Sequence, residues 1–93
     1  MTNNWEWDDE KAIANLGKHG VSFDEASIVF ADPFYLTLDD TLHSTEEYRF
    51  LAIGYSQAQR LLFVVYTERG DNIRIISARQ ATSRERRIYE QYI

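Results

Sequence analysis

The sequence predicts an α+β domain, with helices near both ends of the chain and an antiparallel sheet between them. Two apolar, β-branched runs, 60–67 and 72–79, flank a Gly-Asp turn signal and indicate the central hairpin of that sheet. Helical spacing with capping signals occurs before this hairpin and again after it. A chain of 93 residues cannot divide its apolar surface between two cores, so we expect a single domain over residues 1–93.

Composition and charge narrow the classes of protein to consider. The chain has no cysteine, which excludes disulfides and thiolate metal sites, and its longest apolar run, 61–66, is too short to span a membrane. We therefore expect a soluble, cytoplasmic protein. The net charge of −5 argues against a nucleic-acid partner, but residues 60–93 hold seven arginines against four acidic residues. That asymmetry allows a local anion site, although a solvated helix face with scattered arginines explains the same charges.

The N-terminal third indicates a short strand followed by two helices. Two tryptophans alternate with polar residues over 3–7, which is typical of an edge strand. Asp8 or Asp9 caps a first helix that extends through Lys18 and stops at Gly20. Its residues expected to face the core are Ala12, Ile13 and Leu16.

A second helix follows at once. Ser22-Phe23-Asp24-Glu25 has the pattern of a capping box, and Asp32-Pro33 ends the helix. The residues expected to face the core are Phe23, Ala26, Val29 and Phe30. The two helices therefore form a tight helical hairpin.

The rest of the chain indicates four antiparallel strands and a last helix. Strands are predicted at 34–38 and 46–55, separated by a polar loop, and the central hairpin supplies two more. Thr82-Ser83-Arg84-Glu85 is a second capping box and opens the last helix. We expect the helices to pack mainly on one face of the sheet.

Loop lengths predict which side chains share a face of the sheet. A four-residue loop at 56–59 places Tyr55 opposite Arg60, and a two-residue turn at Gly70-Asp71 keeps Arg79 on the face of Arg60. The two arginines are then diagonal neighbours, roughly 7 to 8 Å apart at the backbone. A three-residue turn with a bulge at Gly70 would instead move Arg79 to the other face.

Two guanidinium groups this close repel each other unless an anion lies between them, and a phosphate is the obvious candidate. The N-terminus of the last helix follows Arg79 closely and also favours an anion. The competing interpretation is that Arg60 and Arg79 lie at exposed strand ends and only make the protein more soluble. Glu68 is predicted to form an ordinary salt bridge with Arg49 on the same face.

Several other polar side chains have both a structural and a functional interpretation. Tyr89 could direct its hydroxyl toward the arginines, but its helical spacing is more typical of a core residue. Glu85 fits a capping-box partner better than a general base. His19 ends the first helix, where a cation complements the helix dipole. His43 has no second ligand at metal spacing, so we expect no metal and no cofactor.

A series of short motifs covers most of the chain. In order they are Lys18-His19-Gly20-Val21-Ser22-Phe23, Glu25-Ala26, Asp32-Pro33, Ile53-Gly54, Val65-Tyr66-Thr67-Glu68-Arg69, Arg74-Ile75-Ile76-Ser77-Ala78-Arg79, Glu85-Arg86 and Tyr89-Glu90. Together they resemble the BrnT toxins, the toxin halves of bacterial type II toxin–antitoxin pairs. The likeness runs from Trp7 to Glu90, and a string of motifs in this order is more specific than any one of them.

The resemblance implies a RelE-like fold with two N-terminal helices, a four-stranded antiparallel sheet and a C-terminal helix. It implies a metal-independent endoribonuclease, in which a ribose 2′-hydroxyl attacks the adjacent phosphate, and which inhibits translation by cutting RNA. The partner would be a BrnA-like ribbon-helix-helix antitoxin, and operator DNA would be bound only through that antitoxin. An alternative is a non-catalytic co-repressor of toxin descent that only binds the antitoxin.

The resemblance also implies site residues. Arg60 and Arg79 would stabilise the charge that builds on the phosphoryl oxygens, and Tyr89 stands at the position of a tyrosine on the final helix of RelE-like enzymes. Glu68, Arg69 and His19 are further catalytic candidates because they lie in the matched motifs. The residues assigned to RNA binding are Lys18, His19, Arg74 and Arg86. We expect the antitoxin to cover the face that bears Arg60 and Arg79.

Overall fold

The computed structural model describes residues 4–40 and 47–93, which form a five-stranded sheet and three α-helices. The sheet order is β1-β5-β4-β3-β2, with β1 parallel to β5 and the other neighbours antiparallel. The α+β class is confirmed, but the predicted four-stranded antiparallel sheet is wrong because β1 pairs with β5 as a fifth strand. The elements are β1 (Asn4–Glu6), α1 (Asp9–His19), α2 (Phe23–Ile28), β2 (Leu36–Asp39), β3 (Arg49–Tyr55), β4 (Leu61–Arg69), β5 (Asn72–Gln80) and α3 (Ser83–Glu90).

Two further points concern the extent of these elements. His43 and the predicted strand start at position 46 lie outside the described residues. Among the helices that are described, none has the length and apolar character needed to cross a membrane.

The two faces of the sheet are covered differently. The helices α1 and α2 pack on one face, called here the covered face, and enclose the main core with it. The opposite face, called here the open face, carries α3 at one end only, where Tyr89 packs with Ile53 and Leu61. The expectation that the helices pack mainly on one face therefore holds for α1 and α2 alone. The buried residues of the main core are Val21, Phe23, Ala26, Val29, Ala52, Leu62, Val64, Tyr66, Ile73, Ile75 and Ala78.

Helix α1 begins and ends close to the predicted residues but turns a different side to the sheet. Asp8 accepts hydrogen bonds from two backbone N–H groups of the first turn, and Gly20 ends the helix with a φ of 68°. Ile13 and Leu16, predicted for the core, are 73% and 52% exposed. Asn15 is buried in their place.

Asn15 is buried because it closes the free edge of β5. Its side-chain nitrogen donates to the carbonyl oxygens of Ala78 at 2.8 Å and Val21 at 2.9 Å, and its oxygen accepts from the Ala78 N–H at 3.2 Å. The pairing of β1 with β5 ends at Arg74, so the carboxamide takes the place of a neighbouring strand beyond that point. These bonds satisfy backbone groups that burial would otherwise leave without a partner.

Helix α2 is shorter than predicted. It ends at Ile28 and passes into a 3₁₀ turn, Val29–Ala31, before Asp32. Ser22 caps the helix as predicted and accepts from the Glu25 N–H at 3.0 Å. The Glu25 carboxylate, however, is directed toward the start of β4 rather than back to the cap.

The connection between β3 and β4 shifts the predicted register by one residue. Tyr55 pairs with Leu61 rather than with Arg60, and the Ser56 N–H donates to the Arg60 carbonyl at 2.9 Å. Gln59 has a φ of 60°, the left-handed residue that closes a three-residue hairpin loop. The predicted four-residue loop is therefore wrong. At the other end of β4 the predicted two-residue turn at Gly70-Asp71 is confirmed.

A bulge in β5 produces a second shift. Val65 pairs with Ser77 and Tyr66 with Ile75, so one extra residue is accommodated between them. Arg79 consequently lies opposite Phe63. Strand alternation now places Arg79 on the open face and Arg60 on the covered face. The prediction that the two arginines are diagonal neighbours on one face is wrong.

Candidate functional site on the open face

A groove of about 370 Å³ runs across the part of the open face that α3 leaves uncovered. Alternate residues of β3 and β4 project from this face, and three of them, Leu51, Phe63 and Val65, form an apolar floor. Arg49 and Arg79 lie at its rims. The complete lining is Asp40, Arg49, Leu51, Phe63, Val65, Ile76, Ser77 and Arg79.

Arg79 is held over the floor by a two-bond ion pair. Its Nη1 and Nη2 donate to the two carboxylate oxygens of Glu85 at 2.8 and 2.9 Å, and Nη1 also donates to the Gln80 carbonyl at 3.2 Å. The guanidinium carbon is 4.1 Å from the centre of the Phe63 ring. The hydrogen bonds to Glu85 raise the pKa of Arg79. Burial alone would raise the pKa of Glu85, but the hydrogen bonds from Arg79 and Thr82 lower it.

Glu85 also completes the cap of α3. It accepts from the Thr82 N–H at 2.9 Å, and the Thr82 hydroxyl accepts from the Glu85 N–H at 3.2 Å, so the predicted capping box is confirmed. An anion was expected between Arg79 and the helix N-terminus. The carboxylate of Glu85 occupies that position.

A second groove adjoins the first at the edge of β5. It is lined from α1 by Lys11, Lys18 and His19, and it shares Ile76 and Ser77 with the first groove. Lys18 and His19, both assigned to RNA binding from the sequence, thus lie beside the groove of Arg79. Lys11 was missed, although its separation of seven residues from Lys18 places both on one side of a helix.

Arg60 lies away from both grooves. Its Nε donates to Glu25 at 3.0 Å, its Nη2 donates to the same carboxylate, and Nη2 also donates to the Gly20 carbonyl at 3.0 Å. The Ser56 hydroxyl donates to Glu25 at 2.6 Å. The bonds from Arg60 lower the pKa of Glu25, and those to Glu25 raise the pKa of Arg60. This cluster joins the α1–α2 connection to the start of β4.

Tyr89 is buried, and its hydroxyl is bonded to Asp32 rather than to Arg79. It donates to Asp32 at 2.7 Å, and the same carboxylate oxygen accepts from the Tyr55 N–H at 2.8 Å. Burial and the bond to Asp32 raise the pKa of the Tyr89 phenol well above its ordinary value. Burial would raise the pKa of Asp32, but its hydrogen bonds lower it. The tyrosine therefore anchors α3 to the corner that precedes β2.

The remaining predicted residues also lie outside the groove. Glu68 is exposed on the covered-face side of the hairpin, so its predicted salt bridge with Arg49, which points to the open face, is wrong. Within residues 4–40 and 47–93 no cluster of three or more His, Asp or Glu side chains could hold a metal ion. The other contacts are Arg69 with Glu47 at 3.7 Å, Arg74 with Glu6 at 3.1 Å, and Arg86 with the Tyr55 hydroxyl at 3.1 Å.

Comparison with known proteins identifies the family. The family model described as ribonuclease toxin, BrnT, of type II toxin-antitoxin system matches residues 7–85. A crystal structure of the Brucella abortus ribonuclease toxin BrnT matches with a TM-score of 0.67 and 24% identity, over 88% of this chain and 100% of that one, a likeness that shows the fold alone. No curated protein matches the chain. Because the family model covers most of the chain, the resemblance is confirmed: this protein belongs to the BrnT family of ribonuclease toxins of type II toxin–antitoxin systems.

Proposed function

We propose that this chain is an endoribonuclease toxin that binds and cuts RNA on the open face of its sheet. The observation that carries the proposal is the groove in which Arg79 and Arg49 lie at the rims of an apolar floor. Single-stranded RNA offers phosphates to such arginines and base faces to such a floor. Family membership supports the same activity.

The spacing of the cations favours a polyanion over a single small anion. Arg49 lies four residues from Ile53 along β3. Ile53 pairs with Phe63 of β4, and Phe63 pairs with Arg79 of β5. At about 3.3 Å per residue and about 4.8 Å per strand, the two arginine backbones are roughly 16 Å apart. Lys18 and His19 extend the cationic surface beyond Ser77. An extended strand with several phosphates matches this distribution.

The reaction we propose needs no metal ion. A base takes the proton of a ribose 2′-hydroxyl, the oxygen attacks the adjacent phosphorus, and the 5′-oxygen leaves with a proton, so the products carry a 2′,3′-cyclic phosphate and a 5′-hydroxyl. Arg79 stabilises the charge that develops on the phosphoryl oxygens. Two titratable side chains along the surface, Asp40 and His19, are the candidates for the base. Arg60 and Tyr89 are not part of this site, because both are engaged elsewhere.

The proposed biological role follows from this activity. RNA cleavage in the cytoplasm inhibits translation, and a BrnA-like ribbon-helix-helix antitoxin neutralises the toxin by covering the open face around Arg79. Operator DNA is then contacted through the antitoxin alone. Protection of the Arg79 side chain from an arginine-modifying reagent in the toxin–antitoxin complex would test this placement, and a complex in which Arg79 stays as reactive as in the free toxin would contradict it.

The primary test is amino-acid incorporation in bacteria after induced expression of wild type, Arg79→Ala or Arg87→Ala at equal protein levels. Arg87 is the matched control because it is an exposed arginine of α3, for which no ion pair is found within the described residues. We expect incorporation to fall with wild type and Arg87→Ala but not with Arg79→Ala. The purified proteins should cut a single-stranded RNA in EDTA with the same ranking, leaving cyclic phosphate ends.

The non-catalytic co-repressor is the second candidate. One observation favours it: Arg60 and Arg79 are both already paired with carboxylates within the chain. If the folded wild-type protein neither reduces incorporation nor cuts RNA, yet still binds its antitoxin, the co-repressor replaces the toxin as the better description.

A further inference from the structure

Arg79 offers only part of its guanidinium group to the groove. The group has five N–H donors, and three of them are used: both hydrogens of Nη1, by Glu85 and Gln80, and one hydrogen of Nη2, by Glu85. The remaining donors are Nε–H and the second Nη2–H, for which no partner is found in the described part of the chain. Nε and Nη2 are bonded to the same carbon, so these donors form the planar fork that suits two oxygens of one phosphate.

The geometry points to Glu85 as a residue that positions Arg79 for phosphate binding, an inference that rests on the proposed RNA-cleaving function. Glu85 is itself fixed, because it lies in the first turn of α3 and accepts from the Thr82 N–H. By binding the far end of the guanidinium with two bonds, it holds the plane above the Phe63 ring and leaves the Nε–Nη2 fork available. Without it, the long side chain of Arg79 would sample several rotamers.

Glu85 affects ground-state binding and turnover in opposite directions. The negative charge of Glu85 offsets the positive charge of Arg79. The groove therefore attracts every phosphate of the bound RNA less strongly. The orienting effect of Glu85, in contrast, matters most where charge develops on the phosphoryl oxygens in the transition state. Removal of the charge should therefore lower both KM and kcat. Loss of a purely structural residue would instead reduce the amount of folded protein and leave both constants of the folded fraction unchanged.

The test is Glu85→Gln, which keeps the side-chain shape and an oxygen that can accept from Thr82. We expect kcat for cleavage of a short single-stranded RNA to fall about 10- to 100-fold, with a KM below that of wild type. Glu90→Gln makes the same charge change at an exposed position of the same helix and should leave kcat unchanged. Thr82→Ala weakens the cap of α3 without removing a contact of Arg79, so it should lower Tm and leave kcat of the folded protein unchanged.

A second readout does not depend on activity. The two-bond ion pair slows rotation of the Arg79 guanidinium about its Nε–Cζ bond, so ¹⁵N NMR should show separate Nη signals in wild type and averaged signals in Glu85→Gln. Failure of wild type to cleave RNA would refute the proposed function, while the NMR comparison would still decide whether Glu85 holds Arg79. An unchanged kcat in Glu85→Gln, or Nη signals that stay separate in that variant, would overturn the positioning role.

Discussion

Arg60 and Arg79 each form an ion pair with a helical glutamate, yet the two pairs belong to different parts of the molecule. The pair of Arg60 and Glu25 is enclosed by further bonds to Gly20 and Ser56 and connects the helices to the sheet. The pair of Arg79 and Glu85 borders an open groove and leaves two N–H donors directed at no described residue. An arginine–carboxylate pair therefore does not mark a functional site, and the surface beyond the pair decides its role.

The same difference holds for the two sheet faces. The covered face is closed by α1 and α2, and the buried polar residue Asn15 of α1 has three hydrogen bonds. On the open face, Leu51, Phe63 and Val65 remain only partly buried. An apolar strand surface that no helix covers is expected where a substrate or partner binds. The following predictions test this division between a stabilising face and a binding face.

The largest expected effect comes from the same substitution in both pairs. Lysine keeps the charge of arginine but lacks its planar fork. Arg79→Lys should therefore reduce RNA cleavage about 100-fold, and the loss of its two bonds to Glu85 should also lower Tm. Arg60→Lys should lower Tm by several degrees, because it loses bonds to Glu25 and Gly20, and should leave cleavage within a few-fold of wild type. Initial cleavage rates below both Tm values provide the comparison, and equal losses of activity in the two variants would contradict it.

Asn15→Leu should have the largest effect on stability. Leucine has the same number and branching of side-chain heavy atoms as asparagine, but it leaves the N–H and C=O of Ala78 and the C=O of Val21 without their hydrogen bonds. We expect the free energy of unfolding to fall by about 3 kcal/mol, which for a domain of this size lowers Tm by roughly 12 °C or more. Leu16→Asn, at an exposed position of the same helix, is the control and should change little. Urea titration of both variants measures the difference, and a leucine variant as stable as wild type would exclude this role for Asn15.

Acid should weaken both faces. Glu25, Asp32 and Glu85 have pKa values below their ordinary ones in the folded protein. Between the folded-state and the unfolded-state pKa of each group, the unfolded chain binds more protons than the folded protein. The stability that these carboxylates contribute is therefore complete above about pH 4.5 and is lost as the pH falls through the lowered pKa values. Glu25→Gln and Glu85→Gln should each lie below wild type in Tm at pH 7 and approach it as the pH falls through the lowered pKa values of these carboxyl groups. A constant gap in Tm across this range would argue against either contribution.

The smallest expected effect concerns the loop between β3 and β4, which shifts the register of these two strands by one residue from the predicted one. Gln59 has a φ of 60°, a conformation that glycine adopts without strain. Gln59→Gly should raise the free energy of unfolding by about 0.5 kcal/mol, the relieved strain being partly offset by the greater freedom of glycine in the unfolded chain. Gln57→Gly, in the same loop without a positive φ, should be neutral or slightly destabilising. Thermal unfolding of the two variants should thus show shifts of different sign, and a lower Tm for Gln59→Gly would count against strain at this position.

Several features of this protein could be predicted from the sequence because their signals are local. Asp8, Ser22 and Thr82 are cap residues with side chains that bond to backbone groups two or three positions ahead. The turn at Gly70-Asp71 depends on one glycine with positive φ. The α+β class and the family could likewise be recognised, since both rest on the order of elements and motifs along the chain.

Other features required the tertiary structure. The loop before Arg60 has no glycine to reveal its left-handed residue, and the bulge before Arg79 lies between Ile75 and Ser77 in a strand without glycine or proline, so neither shift in register has a local signal. Side chains alternate between the two faces of a strand, and a shift of one residue is enough to exchange them. The sequence by itself therefore determined which elements form and to which family the chain belongs. Only the tertiary structure decided that Arg79 faces the groove and Arg60 the helices, because contacts between residues distant in sequence select the register.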